Sequence, residues 1–466
     1  MRNLLPPSPP AVLVLALALA GCAVGPVYQT PAVEVPEAFK EGRGEWVGAV
    51  PADMLERGPW WTLFNDPVLD GLASRVEVSN QNVAAAVAAY SQARALVAEQ
   101  RASLFPVVTL DASANRSGGG GSTPTRGSYQ IGIGGSWEPD VWGRLRRGVE
   151  GARTGSQASL ADLQAAKLSA QGELAAQYFN LRQIDAQHVL LAQTLEGYRR
   201  TLKIAQNRYD AGIAARTDVL QAQTQLANSQ AELLGLERQR AQLEHAIAVL
   251  VGRAPANFSL PALPEWRGVV PDVPFDVPST LLQRRPDIAA AERRAAQANE
   301  QIGIAQAALF PSLRLSGSAG LGAASIGDLF SASALAWSLG ASLAQAIFDA
   351  GSRRARVEGA RAGLEEAAAR YRQTVLSAFQ EVEDQLVASR ILKQQLVLRE
   401  QAAQAANLVE EQVLNRYQAG QVSYTEVVTA QATAQNARRA VVQARSDRQV
   451  AAVALIQALG GGWRGL

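Results

Sequence analysis

Apolar residues recur every seventh position over residues 174–202. Leu174, Leu181, Leu195 and Leu202 hold the places around His188, and Ile184, Leu191 and Tyr198 form a companion row. A sustained seven-residue repeat is the seam of a coiled coil. No proline occurs from Asp140 to Ala254, or from Ser312 to the end of the chain, so nothing breaks these helices. A helix from Gly143 to Ala205 would span roughly 90 Å at 1.5 Å per residue, the length of a strut. The seam resumes at Leu226, Leu233, Arg240 and Ile247, beside Leu236, Leu243 and Leu250. It appears again with smaller residues at Ala434, Val441, Arg448 and Leu455, beside Ala437, Ala444, Ala451 and Ala458. Smaller seam residues let helices approach closely, so this second stretch should be packed more tightly, or tilted differently.

Between the helical stretches the period falls to two. Val108, Leu110, Ala112 and Ala114 alternate with Thr109, Asp111, Ser113 and Asn115. After the turn GGGGSTPTRG, Tyr129, Ile131, Ile133 and Trp137 alternate with Gln130, Gly132, Gly134 and Ser136. The pattern returns as Leu313, Leu315, Ala319 and Leu321 against Arg314, Ser316 and Ser318, then as Leu335, Trp337, Leu339, Ala341 and Leu343 against Ala336, Ser338, Gly340 and Ser342. These are two β-hairpins, at about 107–137 and 312–347, each preceded by Phe-Pro. A half-buried soluble hairpin alternates in the same way, but the recurrence favours transmembrane hairpins with Asp111, Arg116 and Arg314 at the lumen or its mouth. Trp137, Trp142 and Phe348 are then expected to form an aromatic girdle. Four strands cannot close a membrane barrel, and an open edge in lipid leaves backbone groups unpaired. The chain must therefore oligomerise.

The helical stretches are copies of one another. RYDAGIAARTDVLQAQTQL begins at Arg208 and RYQAGQVSYTEVVTAQATA at Arg416, a constant offset of 416 − 208 = 208 that carries Gly252 onto Gly460. Gly212 and Gly420 each end a helix in the manner of a residue with positive φ, so each Arg-Tyr-x-Ala-Gly motif (Arg208, Tyr209, Gly212; Arg416, Tyr417, Gly420) marks the tip of a helical hairpin. Six residues after each glycine stands a carboxylate, Asp218 or Glu426.

The order of segments is then a leader at 1–21 and an extended proline-rich segment at 22–66. A first repeat at 67–254 and a linker at 255–285 follow. A second repeat at 286–460 has its entry helix starting at Pro286, in correspondence with Pro67, and a tail at 461–466 ends the chain. The helix from Pro67 is expected to be capped by Asp66 and to run to Phe105.

Composition narrows the function. The 466 residues are 48% hydrophobic and 18% charged with a net charge of +2, which gives no reason to expect a nucleic-acid partner. Two histidines, His188 and His245, and one cysteine leave no metal cluster, and no nucleophile-base or phosphate-loop pattern occurs. No enzyme activity, catalytic residue, metal or diffusible cofactor is expected. His188 is expected to be packed, and Arg240 and Arg448 to pair between helices or lie along their surfaces. The cysteine ends an apolar run, Ala11 to Ala20, in Leu19-Ala20-Gly21-Cys22. The run is too short to span a bilayer, and Leu-Ala-Gly-Cys is a lipobox, so Cys22 is expected to carry a covalent lipid.

Taken together, Leu-Ala-Gly-Cys22 with Ala23-Val24-Gly25-Pro26-Val27-Tyr28, the stretch Trp61 to Leu69, Arg285-Pro286-Asp287-Ile288, Leu309-Phe310-Pro311 and the two Arg-Tyr-x-Ala-Gly motifs resemble the TolC-like outer-membrane efflux channel family, in its lipoprotein branch serving resistance-nodulation-division (RND) pumps. The resemblance implies an α+β membrane protein in which each chain gives four strands to a trimeric twelve-stranded transmembrane β-barrel, continued by a long α-helical coiled-coil periplasmic tunnel. It also implies a homotrimer in the bacterial outer membrane, a periplasmic adaptor (membrane fusion) protein and an RND inner-membrane pump as partners, and the export of drugs or other small toxic compounds. An exit duct for an ABC-type protein secretion system and a non-conducting envelope-spanning scaffold are the alternatives. Within the family the inner constriction carries acidic residues six and nine places after the second glycine; here these are Glu426 and Thr429, so one of the two is absent. Glu426 is either a gate charge or a carboxylate favoured in the first turn of a helix, and Asp218 is read as the latter.

Overall fold

A computed structural model describes residues 23–42, 59–118, 126–263, 266, 268–271 and 285–461. The leader, Cys22 and most of the tail lie outside the described residues. The elements in order are α1 (Pro67–Ser79), α2 (Gln81–Ala102), β1 (Val107–Ser117), β2 (Arg126–Trp137), α3 (Arg144–Asp210), α4 (Arg216–Leu250), α5 (Pro286–Ala307), β3 (Ser312–Ala323), β4 (Leu335–Ala344), α6 (Ser352–Gln418) and α7 (Tyr424–Ala458). Among the described residues no helix is long and apolar enough to cross a membrane.

The duplication reaches the element boundaries. α3 and α6 are each 67 residues long, α4 and α7 each 35, and all four starts and ends differ by 208. Ahead of the hairpins the offset is 205, because α2 and α5 are each 22 residues long and 286 − 81 = 205. Pro286 therefore corresponds to Gln81 rather than to Pro67, and the counterpart of α1 would fall among residues 272–284, outside those described. The expected continuous helix from Pro67 to Phe105 is likewise two helices. Asn80 is extended (φ −68°, ψ 125°), its Oδ1 caps α2 by accepting from Asn82 N and Val83 N, and its Nδ2 donates to Leu250 O. A side chain that satisfies the free N–H groups of a helix start can end the preceding helix without proline. The same place in the second copy is Arg285, whose guanidinium donates to Ala458 O, the counterpart of Leu250 O, and to Asp287 and Glu381.

The described chain falls into two compact units. The first, residues 1–32, 89–160 and 290–373, contains one antiparallel sheet of order β1-β2-β3-β4. Its register pairs Leu110 with Ile133, Ile133 with Ala319 and Ala319 with Trp337. One face is thus apolar across all four strands, while serines, glycines, Thr109, Asp111, Gln130 and Arg314 occupy the other. Arg116 pairs with Gly127; by the same alternation it lies on the apolar side at the loop end of β1, so of the two expected places, lumen or mouth, it keeps the mouth and does not face the lumen. Trp142 also departs from the expected girdle. It stacks on Phe310 with ring centroids 4.7 Å apart, and its Nε1 donates to Pro311 O, so it fastens the feet of β2 and β3 instead of pointing outward. Phe348 is exposed.

The second unit, residues 33–88, 161–289 and 374–466, is held by α3, whose Leu174, Leu181, Ile184, Leu191, Leu195 and Tyr198 are all buried. α3 packs on α4 through Ile184, Leu191 and Leu236. It meets α7 through polar contacts, including Tyr198 OH to Gln435 Oε1 at 2.9 Å and Gln431 Nε2 to Thr201 Oγ1 at 3.3 Å. α7 buries 15 of its 35 residues against 7 of 35 in α4, as its small residues predicted, yet the distal half of α6 is largely exposed. The denser burial in the second repeat therefore lies in its returning helix. At the start of α1, Asp66 accepts from Val68 N, Leu69 N and Tyr178 OH, with Phe64 against Phe179 beneath it.

Candidate functional site

The two Arg-Tyr-x-Ala-Gly motifs come together. Gly212 (φ 71°) and Gly420 (φ 73°) take the left-handed conformation that closes a helix C-terminus. The turns are tied by Gly212 N to Tyr209 O and Ile213 N to Arg208 O in the first copy, and by Gly420 N to Tyr417 O and Gln421 N to Arg416 O in the second. One small core joins the tips: Ala205, Val219 and Ala222 from the first copy, Tyr417, Tyr424 and Val427 from the second. The Tyr417 and Tyr424 rings meet edge to face at 5.5 Å.

The motif residues are not equivalent. Arg208 donates through NH1 to Tyr417 O (3.0 Å) and Gln418 O (3.3 Å), and its guanidinium lies over the Tyr417 ring, 5.0 Å from the centroid. It thereby satisfies Gln418 O at the end of α6 and adds a second donor to Tyr417 O, which already accepts from Gly420 N. Arg416 is exposed; Tyr209 is exposed while Tyr417 is buried. Burial, then the Asp218 carboxylate, holds the Tyr417 hydroxyl above the usual tyrosine pKa, and burial does the same to Tyr424.

Glu426 is exposed and engaged in a capping box. Ser423 N and Ser423 Oγ both approach Glu426 Oε1, at 3.3 and 3.4 Å, the reciprocal arrangement that opens α7. Thr429 turns its hydroxyl back on Thr425 O at 2.9 Å. Asp218 has no such box, because Ala215 occupies the N-cap of α4; it is half-buried beside Tyr417.

Two further clusters join residues that lie far apart in the chain. In the second unit, Asp185 accepts from Arg182 NH1 (2.9 Å), Arg240 Nε (2.7 Å) and Leu263 N (3.2 Å). Arg182 also donates to Pro261 O and Arg240 to Leu260 O and Glu244. This network fastens the start of the linker to α3 and α4, and it gives Arg240 the pairing between helices expected of it. A visible signal was the pair of charges, Arg182 and Asp185, set among the seam residues Leu181 and Ile184. His188, by contrast, is half-exposed, 3.7 Å from Glu237. In the first unit the N-terminal strap, residues 23–32, is clasped. Val24 N donates to Trp142 O, and Arg147 donates to Val24 O, Pro26 O and Glu300. Tyr28 OH donates to Glu292 O and Arg372 to Ala32 O. Gly25 (φ 119°) lies so close to Gly303 that a Cβ would stand 2.6 Å from the Gly303 Cα, so the clasp requires glycine there.

The profile of the family described as outer membrane efflux protein matches residues 72–253 and 277–461. The cation efflux system protein CusC of Escherichia coli O6:H1 is 29% identical over 458 residues, covering 97% of this chain and 98% of its own. The outer membrane protein OprJ of Pseudomonas aeruginosa is 30% identical over 461 residues, covering 97% and 95%. Among solved structures, the outer-membrane channel OprN superposes with a TM-score of 0.87 at 32% identity, over 95% of this chain and 100% of that one.

Proposed function

The chain belongs to the outer membrane efflux protein family, and from that premise we propose that it is the outer-membrane exit duct of a tripartite efflux pump. The observation that carries this reading is the sheet. Its apolar face is open, with Leu110, Trp337, Leu339 and Leu343 each 70% or more exposed, and β1 and β4 leave their outer edges unpaired in the sheet order. An apolar face suits lipid, and an unpaired edge in lipid must be closed by another strand. Three copies give twelve strands, a closed barrel continued by the paired 67-residue helices as a periplasmic tunnel. A periplasmic adaptor and an RND inner-membrane pump load the duct, and lipid on Cys22, one residue before the strap, adds an anchor to the barrel.

Multi-angle light scattering of the detergent-solubilised protein is expected to give a trimer, planar bilayers are expected to carry its current, and the mass of the mature N-terminus is expected to include acyl chains on Cys22. A stable monomer without current would overturn the duct; an unmodified N-terminus would remove only the anchor.

Glu426 supports a gate reading alongside its cap. It is exposed in the first turn of α7 at the hairpin tip, where three copies converge on the axis of a trimer, and a ring of carboxylates in a narrow wet pore favours cations. Glu426→Gln is expected to lower cation preference and weaken block by multivalent cations while costing little stability, since an amide still fits the box. Asp218→Asn is expected to change conductance less. Equal effects in single-channel records, or none from Glu426→Gln, would place the constriction on other residues.

A further inference from the structure

The polar face of the sheet carries three charges spaced regularly along the strands. Asp111 pairs with Gly132, Gly132 with Gly320, and Gly320 with Ala336, so the acid sits on a row that is otherwise almost free of side chains. Its carboxylate accepts from Thr109 Oγ1 at 2.9 Å and overhangs Gly134, where an added Cβ would lie 3.8 Å from Asp111 Oδ2. Arg314 lies six residues from Gly320 toward the foot of β3 (320 − 314 = 6). Arg126 lies six residues from Gly132 toward the loop end of β2 (132 − 126 = 6). Six residues of strand are about 20 Å along the strand, or about 15 Å of barrel height at a tilt of about 40°. All three side chains are exposed. Among the described strand residues 109–117, 126–136, 312–322 and 336–344, the rest of this face is serine, glycine, alanine, threonine, asparagine and glutamine, with no opposite charge to pair with these three.

We propose that in the assembled barrel these residues form three separate charged rings, basic at the foot (Arg314), acidic at mid-height (Asp111) and basic at the mouth (Arg126), and that the rings set the charge preference of the barrel. The proposal rests on the trimeric barrel reading. At physiological ionic strength the Debye length is about 8 Å, shorter than the spacing of the rings, so each acts on passing cargo by itself. A cation meets barriers at the foot and mouth and a well between them; an anion meets the reverse. The barrel then disfavours compact ions of high charge of either sign and is indifferent to neutral or weakly charged amphiphiles, the cargo class this wall suits.

The test is the reversal potential under a potassium chloride gradient near physiological ionic strength, in the native protein and in single variants. Asp111→Asn is expected to move the potassium-to-chloride permeability ratio toward chloride, and Arg314→Gln toward potassium, each by a factor on the order of two. Asp111→Glu, which keeps the charge, should stay at the native ratio. Both shifts should shrink in 1 M salt, where the Debye length falls to about 3 Å. Repeating the measurements in a Glu426→Gln background separates the barrel from the tip, because the two shifts should persist there. Shifts of the same sign, shifts unaffected by salt, or a conducting trimer indifferent to both substitutions overturn the proposal alone. A native protein that forms no trimer and carries no current overturns the barrel reading and the rings with it.

Discussion

Replacing Asp185 with alanine is expected to destabilise the protein by about 3–5 kcal/mol, the usual cost of removing one partner from a buried ion pair. Asp185 is 3% exposed and Arg182 1%, and Arg240 is the third charge in contact. Without the carboxylate, two guanidinium groups face each other with less compensation, and Leu263 N loses its acceptor. Arg182 keeps Pro261 O, and Arg240 keeps Glu244 and Leu260 O, so the linker should loosen rather than detach. Asp185→Asn retains an acceptor for one donor and should cost less. Guanidinium unfolding followed by helical circular dichroism measures both; a loss below about 1 kcal/mol in Asp185→Ala would mean that water reaches the network freely.

Arg208→Ala is expected to free the end of α6. Two charge-assisted hydrogen bonds and a cation–π contact are lost, about 2 kcal/mol of local stability, or roughly a thirtyfold rise in the open population of the tip. Limited proteolysis between Gln418 and Tyr424 should accelerate, and single-channel conductance should rise. The matched substitution Arg416→Ala removes the equivalent residue of the second copy, which is exposed, and should leave tip proteolysis nearly unchanged. Equal acceleration in both variants would show that the motif arginine acts through its charge at the helix end and not through the contacts Arg208 makes.

Much of this architecture could be read from periodicity. The seam from Leu174 to Leu202, the strand faces and the glycines at the hairpin tips follow from local geometry, where a period of seven, a period of two and a positive φ each leave a mark on the residues themselves. Elements set by distant partners were not readable. Asn80 splits a proline-free helix because Leu250 offers it a carbonyl 170 positions away. Trp142 looks like an interfacial aromatic until Phe310 is placed against it. At the candidate site the duplication was plain, but its asymmetry was not: Arg208 and Arg416 head the same motif, and only the packing of Tyr417 into a core shared by both copies decides which one clamps. Arg116 is a different case. The alternation that placed Leu110 and Ala112 on the apolar face also placed Arg116 there, and its charge alone argued otherwise.

The clasped strap has a mechanical consequence. Its contacts with Trp142, Arg147, Glu292 and Arg372 are spread along the length of residues 23–32, so tension applied at the N-terminus along the segment loads them in parallel, as a lap joint does in shear. A pull across the segment would instead peel the contacts one after another, beginning at Val24. The same few hydrogen bonds therefore make a stiff tether in one direction and a weak one in the other, and the weak one opens first at Val24, whose N–H and carbonyl carry the outermost contacts.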